Sequence, residues 1–537
     1  HTRNDQLAAQ NTIHPEQDRV YSIRELMKMM SIPSNFKWLN LELEELNGLS
    51  PEKKKALYKT HEMTIRTCIG EAVPTEVMRE IANNIKMVLK NERVEPVAIN
   101  KIISRYGLVD RKELGTFLTK NPLNLEVNAL MRLSELCNAE RENNAAFYTN
   151  KFLVNEIMGR LPNFGKDEIR IIEPSVGAGN FIPFLIKRYE NVGHVILDVV
   201  DIDEDSIETL NQILEKIKIP KNFTINIICD DFLTMDILHK YDLAVGNPPF
   251  SKVKGKEKLK YLEQNVNKKT SNLSAMFLEK CMRVSTCVAL VLNKTILSTH
   301  EFEQTRDMLR KARLDTILDF GRHGFTGVSI ETICLIVFPK QKPKNSFVYS
   351  MKYNRKYDQA QHYITDSKFP YFIIYRDNEF DVVAEKLEFG VFKVFRDRQI
   401  TKTITVRQSA KDTLWVLKAK NIDDDGCGVT QIDDYDQFLT KQKAKSLAVY
   451  KYVNDKSVYL TPNMTYNPRV IENRPNIIPD GSTAILIPKS PFKLTNSQRL
   501  YFSTSEYRRF YKIARNLSTQ SINVDSSSVF FFGILKD

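Results

Sequence analysis

The pattern of hydrophobic and polar positions divides the chain into four stretches. Residues 1–90 carry short motifs and an amphipathic helical pattern, and residues 91–140 are polar and helical. Residues 141–345 alternate short β-branched runs with helical patterns, which is typical of a doubly wound, mostly parallel sheet. Residues 346–537 are rich in Tyr, Phe, Lys and Arg and have no regular period. We therefore predict an α/β protein with a Rossmann-like sheet covered by helices on both faces, a helical N-terminal region and a C-terminal α+β domain.

The central stretch contains six predicted strands. They are the runs at 170–174, 195–203, 224–231, 241–250, 287–297 and 331–338. Sheets of this type bind ligands beyond the carboxyl ends of their strands. The four most distinctive motifs of the chain all lie at such ends, so we expect them to build one site.

Composition and charge narrow the class of protein. A chain of 537 residues with 42% hydrophobic and 27% charged residues is typical of a soluble protein of several domains. The net charge of +12 favours an acidic partner such as nucleic acid, although a merely basic soluble protein has the same balance. No apolar run approaches the ~18–20 residues of a membrane-spanning helix, so we expect no membrane partner.

The seven cysteines form neither a CxxC pair nor a cluster with histidine. This spacing argues against structural zinc and against a disulfide framework, and it favours a reducing cytoplasm. We therefore predict that the site contains no metal.

The segment EPSVGAGNF at 173–181 is a turn of small residues between a predicted strand and a predicted helix. Gly177 and Gly179 let the backbone turn sharply and approach a ligand closely. The free N–H groups that open the following helix face whatever binds there. We take Glu173, Ser175 and the two glycines as candidate cofactor-binding residues. The preceding acid–proline pair distinguishes this turn from a dinucleotide-binding GxGxxG motif.

A carboxylate, Asp201, ends the next predicted strand and is followed by Ile202. An acid at this position suits the two hydroxyls of a ribose, and Asp203 is a competitor for the same role. We predict that Asp205 caps the next helix, because Glu208 completes a capping-box pattern with it.

The third predicted strand ends in Asp231 and Phe232. Asp231 is placed to accept a hydrogen bond from an exocyclic adenine amine. Phe232 either packs on the same ring or belongs to the core.

The most specific motif is NPPF, Asn247 to Phe250, after the fourth predicted strand. An adenine amino group is a poor nucleophile because its lone pair is delocalised into the ring. The Asn247 amide oxygen and the Pro248 carbonyl can accept both of its N–H bonds, which directs the lone pair at a methyl donor. Pro248 and Pro249 stiffen the loop, and Phe250 is predicted to stack on the base. The alternative interpretation is an ordinary turn after a strand.

The order and spacing of these motifs resemble the adenine-N6 DNA methyltransferases in which the cofactor motifs precede the catalytic loop and the target-recognition domain comes last. AAFYTNKFLVNEIM at 145–158 is similar to the additional cofactor motif of that family, with Asn150 in place of the usual proline. The resemblance implies that Thr149 contacts the methionine end of the cofactor.

Two later segments extend the resemblance, which covers roughly residues 140–345. LSAMFLEKCM at 273–282 is similar to the motif whose phenylalanine, here Phe277, lines the cofactor adenine. GFTGVSIETICLIVF at 324–338 is similar to the segment that supplies a second aromatic, here Phe325, to the target base. Taken alone, either ring is as compatible with a core position.

The resemblance implies a function. It implies direct methyl transfer from S-adenosylmethionine to the N6 amine of an adenine flipped out of double-stranded DNA, without a covalent enzyme intermediate. Residues 141–345 are then the catalytic domain, residues 91–140 a helical connector and residues 346–537 the target-recognition domain. It also implies a bacterial, cytoplasmic restriction-modification system with a cognate restriction endonuclease.

The N-terminal stretch carries a different signal. The segments 11–38 and 66–85 resemble the closing motifs of cytosine-5 DNA methyltransferases, with Glu71 where asparagine is usual. The catalytic Pro-Cys loop of that family is missing. Residues 1–90 are therefore either the end of a cytosine-5 methyltransferase portion that lies upstream in a longer fused enzyme, which the start without Met favours, or a remnant that serves as a helical platform.

Other function classes stay open at this point. Cytosine-N4, RNA and protein-amide methyltransferases use a similar loop, although Asn247 followed by Phe250 favours adenine. A catalytically silent DNA-binding specificity subunit is the alternative from another class. The recognition sequence, the base-reading residues of 346–537 and the oligomeric state are not encoded in any motif that we identify.

Overall fold

A computed structural model describes residues 21–33, 36–38, 45, 48–71, 74, 78–79, 96–138, 151–322, 330–465, 467–518 and 523–536. The chain divides into two compact units, residues 1–102 and 103–537. In the described part of the chain, no helix is long and apolar enough to cross a bilayer.

The first unit is helical in its described residues. Helix α1 (Ile23–Met29) begins with a capping box, in which Ser22 accepts from the Glu25 backbone N–H and Glu25 accepts from the Ser22 N–H. Leu26 and Met27 pack against one side of helix α2 (Pro51–Glu71). A small apolar core thus joins the two helices.

Residues 96–138 form three helices. They are α3 (Pro96–Tyr106), α4 (Arg111–Lys120) and α5 (Val127–Cys137). Asp110 caps α4 by accepting from the backbone N–H groups of Lys112 and Glu113 at 2.9 and 3.2 Å. Met131 of α5 packs against Ala178 and Ile213, which places α5 beside the glycine turn.

The centre of the second unit is a nine-stranded mixed sheet with the order β3-β2-β1-β4-β5-β7-β6-β8-β9. Strands β1 to β5 are parallel to one another, and β7 is inserted antiparallel between β5 and β6. The strands are β1 (Glu168–Glu173), β2 (His194–Asp201), β3 (Phe223–Cys229), β4 (Tyr241–Gly246), β5 (Ser285–Asn293), β6 (Arg313–Gly321), β7 (Thr332–Phe338), β8 (Asn345–Ser350) and β9 (Arg355–Ala360).

All six strands predicted from the sequence are present, as β1 to β5 and β7. The sequence analysis did not identify β6, β8 and β9. Because β8 and β9 complete the same sheet, the sheet extends past residue 345, where the sequence predicts the end of the catalytic domain.

Both faces of the sheet are buried, which is why its strands are apolar at consecutive positions. Successive residues of β4 and β5 enter different cores: Ala244 and Val288 face one core, whereas Leu243 and Cys287 face the other. Helices α6 (Lys151–Met158), α7 (Ile182–Arg188) and α8 (Glu204–Leu214) cover one face, and α9 (Gly255–Leu262), α10 (Leu273–Val284) and α11 (Glu303–Lys311) cover the other. The predicted α/β class with helices on both faces is therefore confirmed.

The C-terminal region has two parts. The first part packs on the same core as α9 to α11. It consists of α12 (Gln361–Ile364), α13 (Asn378–Lys386), β10 (Leu387–Glu388) and the helices and strand that follow residue 495. Between them lies a β-rich part with strands β11 (Phe392–Phe395), β12 (Thr413–Leu417), β13 (Gln437–Thr440), β14 (Tyr459–Pro462), β15 (Ile471–Glu472), β16 (Ile477–Pro479) and β17 (Thr483–Pro488), and helix α14 (Lys441–Lys445). The chain then returns through α15 (Asn496–Tyr501), α16 (Ser505–Ala514) and β18 (Ile534–Leu535).

The β-rich part forms a four-stranded and a three-stranded sheet around an additional core. Short 3₁₀ helices complete the described structure, at Lys294–Leu297, His300–Phe302, Ala419–Asn421, Ala448–Tyr452 and Ser528–Phe531. The C-terminal region is thus α+β, as predicted.

Candidate functional site

One cavity of about 1090 Å³ lies at the carboxyl ends of β1 to β4. Its walls include the glycine turn after β1, the acidic tip of β2, the Asp-Phe pair after β3 and the NPPF loop after β4. Helices α4, α5 and α10 also contribute side chains. The four motifs therefore lie together, as the sequence predicts.

The turn after β1 depends on two glycines with left-handed backbone. The φ angles are +51° at Gly177 and +84° at Gly179, a region that side chains with a Cβ rarely adopt. A Cβ at Gly179 would lie 2.7 Å from Leu210 Cδ1. Glycine is thus required here both by the backbone angle and by the close approach of α8.

Asp201 ties the tip of β2 to this turn. Its Oδ2 accepts from the Gly177 N–H at 2.8 Å and its Oδ1 from the Asp203 N–H at 3.1 Å. Burial raises the pKa of Asp201, and the two backbone donors oppose that shift. Ile202 beside it is 64% exposed in the cavity wall. An acceptor for hydroxyls and an apolar surface therefore lie side by side.

Asp203, not Asp205, caps helix α8. Its Oδ1 accepts from the Asp205 N–H at 3.2 Å and its Oδ2 from the Ser206 hydroxyl at 2.8 Å. Our prediction of Asp205 as the cap is wrong, because the helix begins at Glu204 and Asp205 lies in its first turn. Asp205 instead pairs with Arg111. Since both carboxylate oxygens of Asp203 accept hydrogen bonds from the first turn of α8, Asp201 is the stronger candidate for binding the hydroxyls of a ribose.

The pair after β3 forms one wall of the cavity. The Asp231 carboxylate accepts from the Leu233 N–H and from the Thr234 hydroxyl, both at 3.0 Å, and so closes the turn after β3. Phe232 is buried, and its ring centroid lies 5.2 Å from that of Phe277 on α10. Both rings also line the cavity, so each has a core contact and a cavity surface.

The NPPF loop faces the cavity through Asn247 and Pro249, whereas Pro248 is buried. Phe250 is only 7% exposed and belongs to the core on the side of α6 to α8. Its carbonyl accepts from the Asn272 side-chain amide at 2.9 Å, and Asn272 Oδ1 in turn accepts from the Ser274 N–H at 3.0 Å. The loop is thereby held against the first turn of α10. Stacking of Phe250 on a base stays a prediction.

Glu135 and Asn180 are among the polar cavity residues that the sequence analysis missed. The Asn180 amide donates to the Glu135 carboxylate, which comes from α5 upstream of the sheet. Asn180 follows the glycine turn directly and could have been included with it, whereas no motif marks Glu135.

Glu173 is the most buried carboxylate of the cavity, with 1% of its surface exposed. Its pKa is raised well above the ordinary value, first by burial and then by the nearby charges of Asp201 and Glu135. Its Oε2 has no hydrogen-bond partner among the described residues. The same holds for Ser175 Oγ and Asn180 Oδ1. Polar atoms of this kind need a ligand or water as partner.

Two predicted site residues, Thr149 and Phe325, lie outside the described residues. Among the described residues, no group of three or more His, Cys, Asp or Glu side chains is arranged to hold a metal ion.

Residues 125–325 match the Eco57I restriction-modification methylase family. This segment is similar to a restriction-modification methylase domain of the Eco57I type. It includes the glycine turn, the acidic strand tips and the NPPF loop.

A curated relative supports the match. The Type II methyltransferase M.CvrRI of Paramecium bursaria Chlorella virus XZ-6E is 29% identical over 209 residues, which are 38% of this chain and 50% of that protein. The chain thus spans about half the length of the curated relative that it matches.

Solved structures of restriction-modification enzymes are also similar to this chain. The type IIG restriction endonuclease BpuSI matches with a TM-score of 0.41 and 13% identity, over 76% of this chain and 61% of that one. The type I methyltransferase subunit from Streptococcus thermophilus matches with a TM-score of 0.32 and 14% identity, over 61% of this chain and 78% of that one.

S-adenosylmethionine is the cofactor of this methylase domain, and the cavity residues fit it. Glu173 and Asn180 have buried oxygens without a hydrogen-bond donor among the described residues. The Asp201 carboxylate lies at the end of β2 in the cavity wall. Ile202 and Phe277 provide apolar surface in the same wall. The site therefore combines hydrogen-bonding groups for the polar parts of the cofactor with apolar walls for its ring.

Proposed function

We propose that this chain transfers a methyl group from S-adenosylmethionine to the N6 amino group of an adenine in a specific duplex DNA sequence. In this proposal it is the modification enzyme of a restriction-modification system in the bacterial cytoplasm, alongside a cognate restriction endonuclease. The observation that carries the proposal is that Asn247 lines the same cavity as Glu173, Asp201 and Phe277.

The chemistry follows from the loop. The bound cofactor supplies a methyl group activated by the sulfonium charge. Asn247 Oδ1 and the Pro248 carbonyl accept the two N–H bonds of the adenine amine, which localises its lone pair towards the methyl group. The two prolines and the Asn272 anchor hold these acceptors in place, so little reorganisation is needed during the transfer.

The target base must leave the DNA stack, which costs a few kcal/mol. Stacking on aromatic side chains, for which Phe250 and Phe325 are the candidates, offsets ~1–3 kcal/mol. We assign the remaining contacts with double-stranded DNA to residues 346–537, in keeping with the net charge of +12. Lys441, Lys443 and Lys445 on α14 are exposed and are candidates for phosphate contacts.

The test is to incubate the chain with mixed-sequence duplex DNA and isotope-labelled S-adenosylmethionine, and to identify the labelled nucleoside by mass spectrometry. We expect N6-methyladenine. Asn247→Ala should lower the rate by about 10²-fold or more, since removing one preorganised hydrogen-bond partner of a reacting group has an effect of that size.

A matched control is Asn211→Ala, the same change at an exposed position of α8 outside the cavity wall. It should leave the rate unchanged. Label on cytosine would contradict the choice of base. Cofactor binding without any label on DNA would indicate a specificity subunit without catalytic activity, or an enzyme that requires an additional part of the protein for activity.

For the first unit we propose that residues 1–90 are the closing part of a cytosine-5 methyltransferase portion that continues upstream. The support is the sequence resemblance together with the capped helix α1, which carries the Arg24-Glu25 pair. Sequencing the complete gene tests this proposal, because a fused enzyme requires a Pro-Cys catalytic loop upstream. Absence of that loop would leave the platform interpretation.

A further inference from the structure

The segment between the NPPF loop and α10 carries a large share of the positive charge of the chain. Residues 252–269 contain seven lysines and two glutamates, a net charge of +5 within a chain of net charge +12. Helix α9 lies in the middle of this segment. Because the segment begins two residues after Phe250, its charge lies directly next to the loop to which we assign the chemistry.

One face of α9 belongs to the wall of the cofactor cavity. Glu257 and Tyr261, one helical turn apart, line the cavity together with Asn247 and Pro249. Tyr261 is buried, and its hydroxyl donates to the Glu257 carboxylate at 3.3 Å. Leu262 packs in the core beneath the helix. This face therefore fixes α9 beside the NPPF loop.

The outer face of α9 consists of Lys256, Leu259 and Lys260. Both lysines are exposed, and Leu259 between them is 67% exposed, so no described part of the chain covers this face. Neither lysine has an ion pair or a hydrogen bond among the described residues, whereas Lys252 pairs with Glu301 at 2.8 Å. The outer face thus presents two cations without a partner in the described chain.

The backbone on both sides of α9 is held in place. Before the helix, the Val253 N–H donates to the Ser271 carbonyl at 2.9 Å. After it, the fully buried Glu279 carboxylate of α10 accepts from the Val266 and Asn267 N–H groups at 2.7 and 3.1 Å. The two lysines therefore occupy a fixed place next to the cavity, which suits an anionic partner that passes this place.

A target base can reach the cavity only together with the sugar-phosphate backbone that carries it. Lys256 and Lys260 lie one helical turn apart, about 6 Å along the axis, so they can contact different phosphates. A lysine ammonium binds phosphate as a point charge and does not read the base.

We propose that the outer face of α9 binds the phosphate backbone of duplex DNA through Lys256 and Lys260, next to the NPPF loop. This inference rests on the proposed function, which makes duplex DNA the partner. The domain that carries the chemistry therefore adds contacts of its own, independent of sequence, to those that we assign to residues 346–537.

The test is the salt dependence of binding between the whole chain and a fluorescein-labelled, mixed-sequence duplex, measured by fluorescence anisotropy. The double variant Lys256→Gln/Lys260→Gln removes both charges and keeps side chains that favour a helix. Each phosphate contact contributes about 0.9 to the slope of log affinity against log salt, so we expect this slope to become less steep by about 2. The affinity at low salt should fall by about tenfold or more.

The matched control is Lys342→Gln/Lys344→Gln, two exposed lysines that follow β7 at the other edge of the sheet. It removes the same charge and should leave both the slope and the affinity unchanged. Equal losses in the two double variants would show a general effect of net charge and would overturn the proposal, as would unchanged binding in both.

Two further measurements separate this proposal from a structural role and from the proposed function. Thermal unfolding and S-adenosylhomocysteine binding should be unaltered in Lys256→Gln/Lys260→Gln, because Glu257 and Tyr261 are intact; loss of either would overturn the proposal. A parent chain that binds the duplex without methylating adenine would contradict only the proposed function. A parent chain that does not bind the duplex would contradict both.

Discussion

The two glycines of the turn after β1 meet different surroundings. A Cβ at Gly177 would have only one neighbour, the Glu135 carboxylate at 3.8 Å, which is an ordinary contact. A Cβ at Gly179 would lie 2.7 Å from Leu210 Cδ1 and 3.1 Å from Ile182 Cδ1. Leu210 and Ile182 are fully buried, so neither side chain has room to move away.

We therefore expect Gly179→Ala to destabilise the fold more than Gly177→Ala. Both changes should lower the free energy of unfolding by about 1–2 kcal/mol, because alanine is strained in a left-handed conformation. Overpacking should lower it by about 1–3 kcal/mol more in Gly179→Ala. Urea unfolding of the two variants and the parent chain measures the difference. Equal losses at the two positions would contradict the close contact with α8.

At the scale of single residues, the sequence predicts side chains that belong to a local motif. Asp201 and Asn247 follow their strands directly, and the structure places both in the cavity wall. The sequence pattern could not show whether Asp203 or Asp205 caps α8, because helix-forming residues follow both. The cap is determined by the residue at which the first hydrogen-bonded turn begins. Glu135 could not be predicted, since its partner Asn180 lies 45 positions away and the contact depends on how α5 packs.

At the scale of elements, Asn272 couples the NPPF loop to helix α10. Its side-chain oxygen caps the helix through the Ser274 N–H, while its amide donates to the Phe250 carbonyl. One residue thus serves both the helix that carries Phe277 and the loop that carries Asn247. The two functions use different atoms, so they can be removed separately.

We expect Asn272→Asp to keep the cap but to lose the anchor of the loop, and Asn272→Ala to lose both. Only Asn272→Ala should then lose the ~1 kcal/mol of a helix cap, whereas both variants should methylate DNA more slowly at saturating cofactor. Thermal unfolding and initial rates measure the two effects.

The control is Asp377→Ala, which removes the cap of α13, a helix outside the cavity wall. It should lose similar stability and keep the rate. An Asn272→Asp variant as active as the parent chain would show that the anchor does not position the loop.

The three strands that the sequence did not reveal were missed for two different physical reasons. β6 is buried but carries Asp319, which interrupts its apolar pattern. This carboxylate is tolerated because Lys294 and Tyr375 both bind its Oδ2, at 2.7 and 2.5 Å. Because those two partners are far away in the sequence, the hydrophobic pattern of β6 alone does not indicate a buried strand. β9 is the edge strand of the sheet and β8 lies next to it, and both are only partly buried, which weakens their hydrophobic pattern.

At the scale of the whole second unit, the sheet and the C-terminal region share one core. Phe372, Phe380, Phe510 and Phe531 are buried in the same cluster as Val288 of β5. Phe380 and Phe510 stack with ring centroids 4.6 Å apart. Phe392, Tyr459 and Leu486 of the β-rich part also belong to this core, and α16 completes it.

We expect a chain that ends at residue 345 to lose cooperative folding, since the truncation removes β8, β9 and every aromatic of this cluster beyond them. Circular dichroism melts and gel filtration, with the full chain as reference, measure the effect. As a milder companion, Phe510→Ala should cost about 3–5 kcal/mol. A sharp melt of the truncated chain at the temperature of the full chain would show that the sheet is stable without this cover.

The buried Glu173 has a consequence for the lifetime of the protein. Its pKa is raised in the folded state, so the folded chain holds this proton more tightly than the unfolded chain does. The group therefore stabilises the fold below its ordinary pKa, and that contribution is lost as the pH rises through the raised value. Binding of the cofactor stabilises the fold by a separate effect, because each tenfold rise in free ligand above its Kd adds ~1.4 kcal/mol to the free energy of unfolding. We therefore expect the chain to resist proteolysis better with the donor bound, which limited proteolysis with and without S-adenosylmethionine measures.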